Sequence, residues 1–323
     1  TELYWDTPRS REFREGRDFL DAACRHEEKD AELLCTLAEC WAHSDNEDKA
    51  GEFYRQALAV DAAEPQSLCR YLEFQVRRSS SDTVVRLAEP MIRNAIERCR
   101  LQIEGLVNLP NAWSSLAVSS LLVGDPFVAL DALAHLLDLC ERPADGAMRR
   151  PCAAGRAVSR LLGTLSHLRC IREKLNGFDW FERATLIGLA VRLGDAEALG
   201  DLRAKASRSS GEPPFKADDR ILILAGGCAP EVESFMPSFL EELTKGVKGL
   251  SFTLISGGTA MGISGVAGTI AQQSGKSIHA IGYLPAPMFK AATAGKPSGN
   301  FDQLFPSAGT DFTPLDPLQA WTD

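Results

Sequence analysis

One segment decides the fold class of the second half of the chain: Leu250-Ser251-Phe252-Thr253-Leu254-Ile255-Ser256-Gly257-Gly258-Thr259-Ala260-Met261-Gly262-Ile263-Ser264-Gly265. The apolar run predicts a buried strand, the glycines predict a turn, and Val266–Gln273 has the spacing of a helix. Glycines let a backbone approach a ligand closely, and the N-terminus of the following helix offers unpaired N–H groups and a partial positive charge. The segment therefore predicts a phosphate-binding turn. The alternative is a tight turn whose glycines only supply positive φ angles.

The flanking sequence predicts a parallel sheet. Arg220–Ala225 is a short apolar run that ends in two glycines, and Ser277–Tyr283 has the composition of a third strand. Pro230–Gly246 has helical spacing, although Pro237 within it should kink the helix or delay its start. A second helix is expected from Ile263 or Val266 to Ser274. The order β-α-β-α-β favours right-handed crossovers and parallel strands.

Two further expectations concern the C-terminal part. Pro285–Gly309 is rich in Pro, Ala, Gly and Ser and predicts a long surface or ligand-covering loop. The residues from Thr313 to Trp321 resemble a helix start close to the last residue. We therefore expect that the natural protein continues beyond residue 323.

Residues 1–205 are expected to be almost wholly helical and to contain a repeat that resembles the tetratricopeptide repeat of about 34 residues. Counted from Ala31, the characteristic positions 4, 7, 8, 11, 20, 24 and 27 hold Leu34, Leu37, Ala38, Trp41, Ala50, Tyr54 and Ala57. A weaker match begins at Pro110. Such repeats stack into a concave surface that binds a partner or another copy, and the alternative is a helical scaffold for the other domain.

The length and composition of the chain limit the number of domains, the possible partners and the location. A chain of 323 residues is expected to form two domains, which we place at 1–205 and 220–323 with the Ser-, Gly- and Pro-containing linker 206–219 between them. A net charge of −9 disfavours nucleic acid as a partner, and no apolar run is long enough for a membrane span. The nine cysteines form no zinc-like spacing, so we expect no metal site and a reducing, cytoplasmic location.

Residues 220–285 resemble the SLOG superfamily, a Rossmann-like group that includes the LOG nucleotide phosphoribohydrolases and nucleotide-sensing domains of bacterial defence proteins. The resemblance is carried by Ile221–Gly227, Leu254–Ala267, Gly275 and Ile278–Pro285. It implies a ligand held between two strand tips. The residues on one side would be Gly226, Gly227 and Cys228, and those on the other Gly257, Gly258, Thr259, Met261 and Gly262.

Other candidate residues are identified by their positions in the predicted strands and turns. Thr259 is expected either to donate to a phosphate or to cap the helix, since both roles use the same geometry. Tyr283 lies at the predicted carboxyl end of the third strand, where ligands of open parallel sheets collect, and is expected to stack on a base. Cys228 and His279 have no sequence-adjacent partner, so packing or surface roles are favoured over catalysis for both.

The hydrolases of that superfamily carry a second motif, Pro-Gly-Gly-x-Gly-Thr-x-x-Glu, which this sequence lacks. We therefore expect a sensor: the second domain binds a nucleotide or a nucleotide-derived signal such as one of the cyclic ADP-ribose type, and the repeats relay the response or self-associate. The resemblance also implies antiviral defence. The alternatives are a nucleotide N-glycoside hydrolase with an unrecognised acid and a repeat scaffold that binds a protein partner.

Overall fold

This computed structural model describes residues 7–26, 30–140, 153–206, 220–226, 233–294 and 300–323. The chain divides into two compact units, Thr1–Asp195 and Ala196–Asp323. The first is helical and the second contains a parallel sheet with helices. The predicted fold class, a helical region followed by an α/β region with a parallel sheet, is confirmed at this level.

The helices of the first unit that the structure describes are α1 (Arg11–His26), α2 (Ala31–His43), α3 (Glu47–Val60), α4 (Pro65–Ser79), α5 (Thr83–Leu87), α6 (Glu89–Glu104), α7 (Leu109–Leu122), α8 (Pro126–Asp138), α9 (Ala153–Leu168) and α10 (Phe178–Gly188). A 3₁₀ turn at Arg169–Lys174 and a π turn at Leu189–Leu193 follow α9 and α10. Across the described ranges of both units, no helix combines the length and the apolar character that a bilayer crossing requires.

In the first unit, α3 and α8 each begin at a short polar residue. Asn46 accepts from the amide of Lys49 at 3.2 Å and begins α3, and Asp125 accepts from the amide of Val128 at 3.2 Å and begins α8. Each contact satisfies one of the amides that a helix N-terminus leaves without an acceptor. These caps allow the tight turns through which α2 packs against α3 and α7 packs against α8.

Small residues bring α2 and α3 together. Ala38 and Ala50 are completely buried, and Tyr54 packs beside them with 4% exposure. Trp41, at position 11 of the same predicted repeat, is only half-buried. Its ring lies under the guanidinium of Arg17 and the ammonium of Lys49, at 4.1 and 3.9 Å from the ring centroid.

The second unit contains the strands β1 (Ile221–Ile223), β2 (Phe252–Ser256), β3 (Ile278–Pro285) and β4 (Gln303–Ser307), and the helices α11 (Ala196–Ala204), α12 (Met236–Val247), α13 (Gly262–Ser274), α14 (Ala286–Ala294) and α15 (Leu315–Thr322). All strand pairs are parallel, in the order β1-β2-β3-β4. Helix α11 belongs to this unit, ahead of the expected linker, and the Gln319 side chain donates to the Lys205 carbonyl at 3.2 Å. Residues 207–219 of the expected linker lie outside the described ranges.

The prediction of a loop over Pro285–Gly309 was wrong. The segment contains α14 and a fourth strand, β4, while residues 295–299 lie outside the described part of the chain. Pro306 explains the error, because proline argues against a strand in the middle of a sheet and is tolerated at an edge. In the described sheet β4 is an edge strand, with Pro306 opposite Leu284 of β3.

Alternation along the strands sends neighbouring side chains to opposite faces of the sheet. Leu254 and Ala280 face α12 and α13 within one apolar cluster. Ile255 and Ile281 face the other side, where Ala320 of α15 joins them. Pro237 lies in the first turn of α12, where its missing N–H costs nothing. Residues 230–232 of the predicted helix lie outside the described ranges.

Candidate functional site

The carboxyl ends of β1 and β2 place the predicted turns side by side. Ile223 is paired with Ile255, so the two parallel strands end at the same edge of the sheet. Gly226 follows β1, and the turn that begins at Gly257 follows β2 and leads into α13. Two predicted residues of the first turn, Gly227 and Cys228, lie outside the described residues. The structure therefore brings Gly226 to the same sheet edge as the glycine turn.

Gly226 approaches the first turn of α13 closely. A Cβ atom at this position would lie 2.6 Å from Cγ1 of Ile263, which is too close for any side chain. The glycine lets the backbone that leaves β1 pass directly beside the N-terminus of α13.

The start of α13 has no side-chain cap among the described residues. Its N-cap residue is Met261, with φ −118° and ψ 157°, and an apolar side chain cannot accept a hydrogen bond from the helix amides. Gly262, Ile263 and Ser264 hold the first amides of the helix, which have no intrahelical acceptor because of their position. Gly262 itself has a φ of 57°, a value that favours glycine. An anion at this point would accept from these amides and interact favourably with the helix dipole.

Thr259 is engaged within the turn. Its amide donates to Oγ of Ser264 at 2.8 Å, and its hydroxyl donates to the Met261 carbonyl at 3.4 Å. The hydroxyl therefore does not cap α13, which was one of the two roles expected for it. A role in binding phosphate would require Thr259 to exchange its local hydrogen bonds for the ligand.

The two consecutive glycines of the turn have different surroundings. Gly258 has a φ of 73°, and a Cβ atom there would lie 3.0 Å from Leu284 and 3.2 Å from the Gly282 backbone. Gly257 has no positive φ, and a Cβ atom would meet Ser264 at 3.6 Å and Phe312 at 3.8 Å, which are ordinary contacts. Gly258 is needed for packing against β3. Gly257 lies beside the first turn of α13, and a Cβ atom fits at this position without a clash.

The expectation that Tyr283 stacks on a ligand base is not supported. Its side chain is 1% exposed, packs against Phe305 at 5.7 Å between ring centroids, and donates from its hydroxyl to Asp323 at 2.9 Å. The cause is the alternation of β3: Tyr283 has the same parity as Ile281 and therefore faces the cluster that includes α15. No ring face is available to a base.

Phe312 is the aromatic residue that the sequence analysis missed. It is 42% exposed, and its ring lies next to Gly257 at the sheet edge. Met261, which was predicted as a ligand contact, is 61% exposed at the same turn. These two side chains supply apolar surface beside the amides of α13.

Asp316 holds the segment that carries Phe312. Its carboxylate accepts from the Thr313 amide at 2.8 Å and from the Ser307 hydroxyl at the end of β4. Burial raises the pKa of Asp316, while these hydrogen bonds oppose the rise. The contacts fix the connection between β4 and α15 and thus the position of Phe312 at the sheet edge.

His279 lies away from this edge, near the start of β3. Its Nδ1 is 3.3 Å from Asp302, which also accepts from the Ala280 amide at 2.7 Å. The contact with Asp302 explains His279 as a structural residue. Within the residues that the structure describes, no group of three or more His, Cys, Asp or Glu side chains is arranged to hold a metal ion.

No protein-family model, curated protein or solved structure matches the chain.

Proposed function

We propose that the second unit binds a nucleotide or a nucleotide-derived signal at the sheet edge formed by Gly226 and the β2–α13 turn. The observation that carries the proposal is the start of α13, where Met261 stands in place of a capping side chain and Gly226 passes beside Ile263. The amides of the helix would bind phosphate. Phe312 would contact the base, since aromatic rings offer a stacking surface to any base.

The sequence resemblance to the SLOG superfamily narrows the ligand to the class that such domains sense, with signals of the cyclic ADP-ribose type among them. The same resemblance supports a role in antiviral defence, and the scattered cysteines of the sequence support a cytoplasmic location. Cysteines described in the structure, such as Cys35, Cys69 and Cys99, are free thiols, which agrees with a reducing compartment.

We propose that the first unit is a tetratricopeptide-like array that relays the signal. Helices α2 and α3 form an antiparallel pair around Ala38 and Ala50, and α4 starts at Pro65, just beyond the end of the predicted repeat. Helices α7 and α8 form a second pair with buried Ala117 and Ala129. Repeats of this kind present extended surfaces to a protein partner or to another copy of the chain.

Calorimetry with matched variants tests the proposal. The panel contains ADP-ribose, cyclic ADP-ribose, NAD and AMP, and the proteins are the wild type, Gly257→Glu and Gly257→Ala. Gly257→Glu adds a carboxylate in front of α13 and is expected to weaken binding about tenfold or more through like-charge repulsion. Gly257→Ala adds only a methyl group at an unstrained position and should bind within a few-fold of wild type.

Gly257 is a better site for this test than Gly258, because any side chain at Gly258 would clash with β3 and disturb the fold. Equal heats from the wild type and Gly257→Glu would place the ligand elsewhere. The absence of heat with every member of the panel would reject these ligands.

A further inference from the structure

The first unit contains a cavity of about 320 Å³ that the sequence gives no reason to expect. Its walls come from α2, α3, α4 and α9, so residues far apart in the sequence meet there. The polar lining includes Glu39, Arg70, Glu73, Arg160, Thr164 and His167. The volume lies at the lower end of the range for sites that hold small organic molecules.

Arg70 is the centre of a buried network in the wall of this cavity. It donates from Nε to Glu39 at 2.8 Å and from Nη1 to Glu73 at 2.9 Å. The Thr164 hydroxyl accepts from Arg70 and donates to Glu73, each at 2.9 Å. Nδ1 of His167 donates to the other oxygen of Glu73 at 2.6 Å. The network fixes the orientation of the polar groups around the cavity.

The environment of the two carboxylates differs. Burial raises the pKa of Glu39, and the nearby charges of Arg70 and Arg160 only partly offset this rise. Burial acts in the same direction on Glu73, but the hydrogen bond from His167 and the charge of Arg70 outweigh it and lower the pKa of Glu73 to about 2. Glu73 is therefore ionised throughout the physiological range.

Stability alone is a poor explanation for this network. Desolvation of buried ion pairs costs several kcal/mol per ion, and apolar replacements of similar volume are often neutral or stabilising. Buried, oriented charges with shifted pKa values that line a cavity are instead typical of functional sites. The network thus indicates a ligand rather than a core contact.

Gly163 lies at the mouth of the cavity. It lies inside α9 and lines the cavity, and a Cβ atom there would meet no described atom within 4 Å. Glycine inside a helix costs about 1 kcal/mol relative to alanine, yet packing does not require it here. Gly163 is exposed on α9, so the missing side chain leaves open space at the mouth of the cavity.

Aromatic and charged side chains set the character of the ligand. Tyr54 and Phe74 pack at 5.1 Å between ring centroids and contribute apolar surface to the cavity. Over the Phe74 ring lie the guanidinium groups of Arg77 and Arg78, at 5.8 and 5.5 Å, and both arginines reach Glu47. An aromatic wall with guanidinium groups beside it suits a flat body that carries a negative charge.

The charges of the lining agree with an anion. In and beside the cavity, four arginines (Arg70, Arg77, Arg78 and Arg160) face three carboxylates (Glu39, Glu47 and Glu73), which leaves one net positive charge. We propose that this cavity is a binding site for a small organic anion, a carboxylate or phosphate ester carried on a flat, largely apolar body. The site belongs to the first unit and does not depend on the function proposed for the second.

Phenyl phosphate and benzoate are suitable probes, with benzyl alcohol as the neutral control. Titration of the full chain is followed through the side-chain resonances of His167 and the amide of Gly163. To exclude the sheet edge of the second unit, the same titration is run with Gly257→Glu. Saturable shifts are expected with at least one anion in both proteins, and none with benzyl alcohol.

Three variants decide the outcome, all with unchanged far-ultraviolet circular dichroism. Gly163→Phe adds a bulky ring at the mouth of the cavity and should weaken or abolish saturable binding, while Gly163→Ala should retain it. Arg160→Gln, which removes one positive charge from the lining, should weaken binding about fivefold or more. Retention of full affinity by Gly163→Phe, or the absence of saturable binding of either anion by the wild type at millimolar concentrations, would overturn the proposal.

Discussion

The backbone of Gly258 lies directly against the backbone of Gly282: a Cβ atom at Gly282 would stand 2.4 Å from Cα of Gly258. This contact joins the turn after β2 to the middle of β3. It fixes the position of the turn relative to the sheet before any ligand is present.

Substitution of either glycine is therefore expected to disturb the second unit. Gly282→Ala should destabilise it by about 1–3 kcal/mol, because the added methyl group forces the turn away from β3. Hydrogen exchange at the amides of Leu254 and Ala280, which lie in the sheet, measures the loss. Gly200→Ala in α11 is the control, since a Cβ atom there meets no described atom within 4 Å. Equal exchange rates in both variants would show that the close contact is unimportant.

Phe312 and Tyr283 should separate binding from stability. Phe312→Ala removes the exposed ring beside Gly257 and is expected to lower nucleotide affinity by about 1–3 kcal/mol, with little effect on the binding of inorganic pyrophosphate. Tyr283→Phe removes only the hydrogen bond to Asp323 and should cost about 1 kcal/mol of stability without a change in affinity. Calorimetry and thermal unfolding of both variants check this. Lower nucleotide affinity in Tyr283→Phe, with unchanged affinity in Phe312→Ala, would instead indicate that Tyr283 contacts the base.

Glu73 should make the first unit sensitive to acid. Its folded pKa of about 2 lies below the usual value of 4.5, so its contribution to stability is present above pH 4.5 and is lost as the pH falls toward 2. In Glu73→Gln this contribution is absent. The difference in unfolding free energy between wild type and variant should therefore shrink by up to about 3 kcal/mol over that interval.

Urea titrations at several pH values, followed by far-ultraviolet circular dichroism, measure this difference. Glu39 has the opposite sign: its raised pKa gives stability that is present below 4.5 and lost as the pH rises through the folded value. Because the charge of Glu73 contributes to the raised pKa of Glu39, the comparison is made in a Glu39→Gln background, which removes the contribution of Glu39. A difference that stays constant with pH would contradict the assignment of Glu73.

Base release is the measurement that separates a sensor from a hydrolase. Because the sequence lacks the glutamate motif of the LOG enzymes, incubation with nucleoside monophosphates or NAD should release no base above the level of Gly257→Glu. Release by the wild type that disappears in this variant would favour the enzyme alternative.

Local patterns were enough to predict the three strands and the glycine turn, because apolar runs and glycines act within a few residues of one another. The partners of that turn were not predictable in this way. Phe312 lies in the connection between β4 and α15, and the path of that connection brings it next to Gly257. The role expected of Tyr283 is not supported, because its position in the chain does not reveal which face of the sheet its side chain occupies. Likewise, His167 and Glu73 meet through helix packing between distant segments, and their separate helical patterns carry no signal of the contact.

Amide chemical shifts show whether the first amides of α13 bind an anionic ligand. A ligand from the calorimetric panel is titrated into nitrogen-15-labelled protein while the amides of Gly226, Gly262, Ile263 and Ser264 are observed. We expect saturable shifts at these amides with one common dissociation constant, and none at Gly194 in the first unit. Saturable binding that leaves all four amides unshifted would contradict this expectation.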